Sequence, residues 1–143
     1  MKRIVCDMDG TLTNISKRFH LAQNGEWEAF HSLAENDPPN MDVVKLLRGN
    51  NDFIVLTGRP VKYLPVTVSW LRHYDLYPYA IIMRPNGDKR SDARLKPEML
   101  IEWYKGLDQA KACVDFILED RDNVVEAFRN LGFNCWQVRQ GTY

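Results

Sequence analysis

The chain has 143 residues, 45% of them hydrophobic and 27% charged, which suffices for one compact domain with a sizeable core but not for two enzymatic domains. Its 19 basic and 19 acidic side chains cancel, so no overall field attracts nucleic acid or a membrane, although a local patch still can. Three cysteines, Cys6, Cys113 and Cys135, lie in or beside apolar segments and favour reduced thiols over a disulfide framework. Because the chain has no signal-peptide core and no apolar stretch of transmembrane length, we expect a cytoplasmic protein without membrane contacts.

Short apolar runs alternate with helical patterns along the chain. Strands are predicted at residues 4–6, 53–56, 79–83, 116–118 and 133–138. Amphipathic helices are predicted at residues 43–47, 64–71, 99–107 and 124–131. This alternation is typical of an α/β, Rossmann-like fold, a parallel sheet with helices on both faces. In such folds ligands bind outside the carboxyl ends of the strands.

Residues 14–40 interrupt the alternation after the first strand. Asn24-Gly25 and the segment at residues 37–40 are helix breakers on either side of a short helix that contains Trp27 and Phe30. We interpret residues 14–40 as a flap or minimal lid over the site. Because no repeat or interdomain linker interrupts the rest, residues 1–143 are predicted to form a single domain.

Two carboxylates stand where the first strand ends. Asp7 and Asp9 are two residues apart, and Gly10 then lets the backbone turn sharply. Two acids beside a tight turn at the carboxyl end of a strand can hold a divalent cation and carry out phosphoryl chemistry. A solvated turn that simply ends the strand is the plain alternative.

Two later strands end in groups that suit the same chemistry. After the second strand, Thr57 and the next backbone N–H can donate to phosphoryl oxygens, Gly58 permits close approach, and Arg59 offers a planar fork. A strand-to-helix turn capped by Thr57 is the alternative. Glu119 and Asp120 follow the fourth strand, where a third oxygen ligand suits Mg²⁺, whereas no Cys and His spacing supports zinc.

Basic side chains cluster between the third strand and the following helix. Lys96 precedes Pro97, which we take as the N-terminus of the helix at 99–107, and a fixed ammonium is needed where acids and a phosphate converge. The segment forms a local basic surface that suits a nucleic-acid backbone, with a solvated charged loop as an equally good explanation. Its basic members are Arg84, Lys89, Arg90, Arg94 and Lys96. The nearby aromatic residues suit base stacking or packing, and we expect most of them in the core: Trp70, Tyr74, Tyr77 and Tyr79.

The motifs together resemble a known superfamily. Asp7-Met8-Asp9-Gly10-Thr11, Thr57-Gly58-Arg59, Lys96 and Glu119-Asp120 stand in the order of the four motifs of haloacid dehalogenase superfamily phosphatases. The resemblance implies that Asp7 is a nucleophile that forms an aspartyl phosphate and that Asp9 is the general acid and base. It implies that Thr57 and Lys96 grip the phosphoryl group. The implied Mg²⁺ ligands are Asp7, the backbone carbonyl of Asp9, and Asp120.

Within the superfamily, the chain is most similar to the 3'-phosphatase domain of phage-type polynucleotide kinases. The likeness rests on Thr57-Gly58-Arg59 and on the segment from Glu119 onward. Glu119 stands where that family tends to have an aspartate, and we expect it to lie next to the metal ligands without binding the metal itself. The candidate substrate contacts are Gly58, Arg59, Arg84 and Arg121. Because the chain lacks a G-x-x-x-x-G-K-[ST] loop, we expect no 5'-kinase activity.

The resemblance therefore implies a Mg²⁺-dependent phosphatase that removes 3'-phosphates from DNA or RNA ends. A small-molecule nucleotidase that uses the same residues is the first alternative. A non-catalytic module that binds phosphorylated ends is the second, and it has little need for Asp9 beside Asp7. Neither the oligomeric state nor the preference between DNA and RNA follows from the sequence.

Overall fold

The computed structural model describes residues 2–143 as five parallel strands in one sheet, in the order β3-β2-β1-β4-β5, flanked by helices. The strands are β1 (Arg3–Cys6), β2 (Ile54–Pro60), β3 (Ala80–Arg84), β4 (Val114–Arg121) and β5 (Cys135–Gly141). The helices are α1 (Phe19–Gln23), α2 (Trp27–Ser32), α3 (Met41–Leu47), α4 (Leu64–His73), α5 (Asp92–Trp103), α6 (Leu107–Cys113) and α7 (Asp122–Asn130), with 3₁₀ turns at Ala34–Asn36 and Val61–Tyr63. The architecture confirms the predicted Rossmann-like α/β fold.

Each face of the sheet has its own apolar core. Val5 and Ile54 belong to a buried cluster with residues of α5, α6 and α7, such as Phe128. Cys6 and Val55 point the other way, into a cluster with residues of α3 and α4. This division follows from the alternation of side chains along a strand, and it explains why the strands read as continuous apolar runs.

The strand order places β1 between β2 and β4. Cys6 is paired with Val55 on one side and with Leu118 on the other, so the three strands end at nearly the same level. The backbone N–H of Asp7 donates to the carbonyl of Leu118 at 3.0 Å, which anchors the first residue after β1. The acids that follow β1 and the polar residues that end β2 and β4 therefore share one edge of the sheet.

The helix predicted at residues 99–107 has different bounds. It begins at Asp92, so Pro97 lies inside α5 rather than at its start, and it ends at Trp103. Pro97 removes only one intrahelical hydrogen bond, and the helix buries Leu95 and Lys96 around it, which offsets that loss. A backbone with positive φ at Gly106 then separates α5 from α6.

Strand β2 is longer than predicted. It continues through Thr57 to Pro60 with a register shift between these two residues, and α4 begins only at Leu64. Thr57 is therefore a strand residue and not the cap of a helix.

The aromatic residues after β2 divide between core and surface. Trp70 is buried, and Tyr74 packs against the same core cluster. Tyr77 and Tyr79 are more than half exposed, at 54% and 58%, so the expectation of a core position is wrong for these two. Both stand in the connection that leads into β3, where the chain runs over the surface.

The segment at residues 14–40 holds α1, α2 and the first 3₁₀ turn. It has a small apolar cluster of its own, which includes Ile15, Ala22 and Phe30. Within residues 2–143 the longest helix, α5, has 12 residues, and no helix there is long and apolar enough to cross a bilayer.

Candidate active site

A buried lysine joins two of the strand ends. Lys96 of α5 is 1% exposed, and its ammonium donates to Asp7 Oδ1 at 2.6 Å and to Glu119 Oε2 at 2.8 Å. Asp7 follows β1 and Glu119 lies in β4, so one turn of α5 is tied to two neighbouring strands. The contact fixes the ammonium beside the Asp7 carboxylate.

Three carboxylates converge at this edge. One carboxylate oxygen from each of Asp7, Glu119 and Asp120 lies within 4.8 Å of the others. The hydroxyl of Thr11 lies between two of them, 3.1 Å from Asp7 Oδ2 and 3.2 Å from Asp120 Oδ1. Three carboxylates around a single ammonium leave negative charge in excess, and carboxylate oxygens are the ligands that hard divalent cations prefer. The donor set therefore fits a divalent metal ion.

The electrostatics of the cluster reflect this excess of acid. Burial, followed by the charge of Glu119, raises the pKa of Asp7 well above its usual range despite the opposing effect of Lys96. Burial and Glu119 likewise raise the pKa of Asp120 to about 7. Burial alone lowers the pKa of Lys96, but Asp7 and Glu119 outweigh it and raise that pKa well above its usual value. A bound cation would favour the ionised form of the acids.

Glu119 binds Lys96 through one carboxylate oxygen and the backbone at the end of β4 through the other. While Oε2 accepts from Lys96, Oε1 accepts the backbone N–H groups of Asp120 at 3.0 Å and Arg121 at 3.3 Å. The longer side chain of glutamate thus spans the space between the lysine and the end of β4.

The second acid of the β1 motif lies in a different environment. Arg59 forms a bidentate salt bridge with Asp9, with Nε 2.9 Å from Oδ2 and Nη2 2.6 Å from Oδ1. Arg18 Nη2 donates to Asp9 Oδ1 at 2.5 Å. Burial by itself raises the pKa of Asp9, but Arg59 and Arg18 outweigh it and hold that pKa well below its usual range.

Arg18 is a site residue that the sequence motifs do not contain. Its side chain is 2% exposed and also donates to both oxygens of Asp37 and to the carbonyl of Phe30, at 2.8 Å. The residue stands in the weakly patterned segment before α1, and Asp37 reads as part of a Pro-rich turn. No local signal identifies the pair, because an arginine in a polar segment is ordinarily solvated.

Two glycines allow close approach of site residues. Gly10 has φ +85°, and a Cβ atom there would lie 2.1 Å from Asp120 Oδ2. A Cβ atom on Gly58 would lie 2.4 Å from Asp92 Oδ1. Beside Gly58, Thr57 is 1% exposed and its hydroxyl oxygen accepts the backbone N–H of Arg59 at 3.1 Å.

Two of the three arginines predicted to bind substrate meet on one aspartate. Arg84 Nη2 and Arg121 Nη1 bind the two oxygens of Asp92 at 2.5 and 2.9 Å. Arg84 also donates to three backbone carbonyls, those of Gly58, Asp88 and Arg90. Its hydrogen-bonding capacity is therefore largely used inside the protein.

Much of the predicted basic surface is paired as well. Arg90 binds Asp88 at 2.6 Å and also contacts Glu98, and Arg94 binds Glu98 at 3.2 Å. Among residues 2–143, exposed Lys62 and Lys89 make no ion pair although both line the cavity over the site. The segment is thus closer to a charge-balanced surface than to a basic strip.

A cavity of about 640 Å³ opens above these groups. Its floor includes Asp7, Asp9 and Lys96, and its sides come from α2, from the end of β2 and from the loop before α5. The candidate residues Thr57, Gly58, Arg59, Arg84 and Arg121 all contribute to its lining. Asp120 instead lines a neighbouring cavity of about 320 Å³.

Residues 1–143 match the family model of the phosphatase domain of polynucleotide kinase PNKP, a haloacid dehalogenase (HAD) type domain. The chain belongs to this family. A solved structure of a Pnkp1/Rnl/Hen1 RNA repair complex contains a chain that is 31% identical, with a TM-score of 0.81 over 99% of this chain and 43% of that one. A second Pnkp1/Rnl/Hen1 structure gives 30% identity, a TM-score of 0.80, and 99% and 47% coverage.

A protein of Autographa californica nuclear polyhedrosis virus, provisionally named a bifunctional polynucleotide kinase/RNA ligase, is 28% identical over 136 residues. The alignment covers 91% of this chain and 18% of the viral protein. The chain thus spans less than half the length of each of these relatives. The family assignment confirms the resemblance to HAD phosphatases and to the phosphatase domain of polynucleotide kinases.

This PNKP-type phosphatase domain carries one further group at the acid cluster. The hydroxyl of Tyr143 lies 2.9 Å from Asp120 Oδ2 and 3.0 Å from the backbone carbonyl oxygen of Asp9. Burial and the charge of Asp120 raise the pKa of Tyr143 well above its usual value, so the hydroxyl is a donor. Tyr143 lines both cavities and thereby separates Asp120 from the larger one. No sequence motif predicts this contact.

Proposed function

We propose that this protein is a Mg²⁺-dependent phosphatase that removes the 3'-phosphate from polynucleotide ends through an aspartyl-phosphate intermediate. The observation that carries the proposal is the Asp7 carboxylate held 2.6 Å from the Lys96 ammonium on the floor of a cavity that Asp9 also lines. The PNKP phosphatase-domain family and the RNA repair complexes among the similar structures support a nucleic-acid end as the substrate.

In the first step a carboxylate oxygen of Asp7 attacks phosphorus and the bond from phosphorus to the 3'-oxygen breaks. Asp9 gives its proton to the leaving oxygen. In the second step water attacks the phosphorus of the aspartyl phosphate and gives a proton to Asp9. The bond from phosphorus to the Asp7 oxygen breaks, which releases inorganic phosphate and restores the Asp7 carboxylate. Lys96 offsets the negative charge shared by Asp7 and the phosphoryl group.

The ion pairs of Asp9 suit the second step directly, because Arg59 and Arg18 keep this carboxylate ionised and able to accept a proton. For the first step Asp9 must be protonated. The negative charge of a bound phosphate close to the two guanidinium groups raises the pKa of Asp9 and so favours that form. Arg59 and Arg18 therefore act by positioning Asp9.

Asp7, Asp120 and the backbone carbonyl of Asp9 would hold Mg²⁺, with Glu119 adjacent to them. The bound ion would neutralise charge on the phosphoryl oxygens. Thr57 and Gly58 line the same cavity, and the Thr57 hydroxyl and the Gly58 backbone N–H would donate to those oxygens. Residues 14–40 would act as a lid, since α2 supplies one side of the cavity.

A nucleotidase is the second candidate, favoured by the size of the cavity. A volume of about 640 Å³ is within the range of small-molecule pockets. The paired arginines also leave few free charges for a long backbone. Both candidates use the same chemistry and differ only in what is attached to the phosphate.

One assay separates the candidates. Phosphate release is measured with Mg²⁺ and with EDTA, from oligonucleotides that carry a 3'- or a 5'-phosphate and from 3'- and 5'-mononucleotides. We expect metal-dependent release from the 3'-phosphorylated oligonucleotide. Preference for mononucleotides would move the assignment to a nucleotidase, and release from none would contradict both.

Asp7→Asn should lower turnover at least about a thousandfold, because an amide cannot act as the nucleophile. The matched control is Asp108→Asn, at an exposed position of α6, which should leave turnover unchanged. Substantial turnover by the Asp7→Asn protein would contradict the assigned nucleophile.

A further inference from the structure

The cavity has one aromatic side. Trp27, Phe30 and His31 come from α2, and Tyr63 ends the 3₁₀ turn before α4. All four line the cavity that also holds Asp7. A phosphate group alone needs only a small part of about 640 Å³, so the remaining space must suit what is attached to the phosphate.

The aromatic rings form a row. The rings of Trp27 and His31 are 6.3 Å apart and within 27° of parallel, and those of His31 and Tyr63 are 5.2 Å apart at 39°. Phe30 supports the row from its edge, 5.3 Å from His31. Trp27 keeps 42% of its surface exposed, so the row is not closed off by protein.

His31 gives a second, independent sign of a ligand. It is 8% exposed, and its Nδ1 atom has no hydrogen-bond partner among residues 2–143. A buried polar atom without a partner costs free energy unless something outside the chain meets it. Burial, together with the charges of Arg59 and Arg18, lowers the pKa of His31 to about 4 although Asp9 acts the other way. The ring is therefore neutral near pH 7.

We propose that the aromatic row of Trp27, His31 and Tyr63 is the binding subsite for the nucleobase of the terminal nucleotide, which stacks there while its 3'-phosphate reaches Asp7. The inference rests on the proposed function, since it names the part of the substrate that this side of the cavity holds. Stacking on aromatic rings tolerates any base, because each has a π-face. The exposed ammonium groups of Lys62 and Lys89 lie on the lining of the same cavity, where the next backbone phosphate would meet them.

The test compares two 3'-phosphorylated oligonucleotides that differ only in their last nucleotide, one normal and one abasic. Stacking contributes about 1–3 kcal/mol per base in proteins that bind single strands, so we expect the abasic end to raise KM between about fivefold and about 150-fold. Trp27→Ala should raise KM for the normal end by a similar factor and leave KM for the abasic end unchanged. The Trp27→Phe protein should have a KM for the normal end close to that of the unaltered protein, because phenylalanine can also stack on a base.

The matched control is Trp103→Ala. Trp103 is 47% exposed, close to the value for Trp27, but it stands at the end of α5 and does not line the cavity. The Trp103→Ala change should leave the KM of the normal end and that of the abasic end unchanged. A second measurement needs no turnover. In the Asp7→Asn protein, binding of the oligonucleotide with the normal 3'-end should quench the fluorescence of Trp27, and the additional Trp27→Phe change should remove that quenching.

The outcomes distinguish this inference from the function on which it rests. If the unaltered protein does not release phosphate from the normal 3'-end, the proposed function fails. If it does so but processes the abasic end with the same KM, and Trp27→Ala changes nothing, the function stands and the stacking subsite is overturned. A Trp27→Ala loss that is equal for both ends would also overturn it, because that result indicates only a damaged lid.

Discussion

Two guanidinium groups hold Asp9, and only that of Arg59 belongs to a recognisable motif. Arg18 connects Asp9 with Asp37, so a single buried cation satisfies carboxylates from two separate parts of the chain. Removing one partner of a buried ion pair leaves an uncompensated charge, which is far costlier than losing an exposed pair. The free energy of unfolding should therefore depend more strongly on Arg18 than its place in the sequence suggests.

Arg18→Met should lower the free energy of unfolding by about 3–5 kcal/mol, measured by urea denaturation, because Asp37 and Asp9 lose their shared cation. Arg94→Met is the control, since the Arg94 side chain is 69% exposed and its pair with Glu98 contributes about 0.5 kcal/mol or less. Equal losses in the two variants would contradict the role assigned to Arg18.

The raised pKa of Asp120 predicts how pH acts on the metal-free protein. With a pKa of about 7 in the fold against about 3.9 when unfolded, the folded state holds a proton that the unfolded state has released. The contribution of Asp120 to stability is complete below about pH 4 and is lost as pH rises through about 7. His31 acts in the opposite sense, because its pKa of about 4 lies below the unfolded value.

The Asp120→Asn change separates the effect of Asp120 on stability from that of His31. In EDTA, the Tm of the unaltered protein minus that of the variant should fall between pH 5 and pH 8. Adding Mg²⁺ at pH 8 should raise the Tm of the unaltered protein and leave that of the variant nearly unchanged. A difference in Tm that does not vary with pH would refute the assigned pKa.

At the scale of elements, the turn after β1 packs against the end of β4 through Gly10. A Cβ atom on this residue would strike Asp120 Oδ2, and the hydroxyl of Tyr143 would lie only 2.7 Å away. The turn can therefore pack this closely against the acid cluster only because residue 10 is a glycine. The positive φ of Gly10 adds a conformational requirement for the same residue.

Gly10→Ala and Gly25→Ala separate these two requirements. Both glycines have positive φ, but a Cβ atom on Gly25 meets nothing within 4 Å. Gly25→Ala should therefore cost only the backbone strain, about 1–2 kcal/mol. Gly10→Ala should cost more in urea unfolding and should weaken Mg²⁺ binding in calorimetry. A normal Mg²⁺ affinity in the Gly10→Ala protein would show that the metal does not use this edge.

Across the whole protein the basic and acidic side chains balance in number. The arginines that line the cavity are also held in ion pairs within the protein: Arg59, Arg84, Arg90 and Arg121. Among the described residues that line the cavity, few cations are left to neutralise a nucleic-acid backbone, so recognition should concentrate on the last one or two nucleotides.

Weak salt dependence follows from this charge balance. The logarithm of kcat/KM for a 3'-phosphorylated oligonucleotide should fall with the logarithm of salt concentration with a slope shallower than about −2, since each neutralised phosphate of a single strand contributes about −0.7. Lengthening the oligonucleotide beyond three or four nucleotides should change KM little, because Lys62 and Lys89 are the unpaired basic residues among the described residues that line the cavity. A steep slope that grows with length would show an extended binding surface instead.

Local patterns were sufficient for the fold and for the location of the motifs. Parallel strands were recognisable because both of their faces are buried, and the carboxyl ends of such strands share one edge of the sheet. The sequence therefore predicts that Asp7, Thr57 and Asp120 lie at the same edge of the sheet. The start of α5 was missed because Pro97 reads as a first helical residue, whereas burial around Lys96 outweighs one lost hydrogen bond.

Strand and helix periodicities are local properties, so the sequence alone predicts a Rossmann-like sheet with acids at the ends of adjacent strands, and the order of its motifs gives the resemblance to the HAD superfamily. Only the tertiary structure decided which side chains complete the site. Tyr143 meets the carbonyl of Asp9 across 134 positions, and Arg84 turns to Asp92 rather than to the solvent. Such contacts depend on where residues 14–40, the loop before α5 and the last residues come to lie, and neither spacing nor periodicity encodes that arrangement.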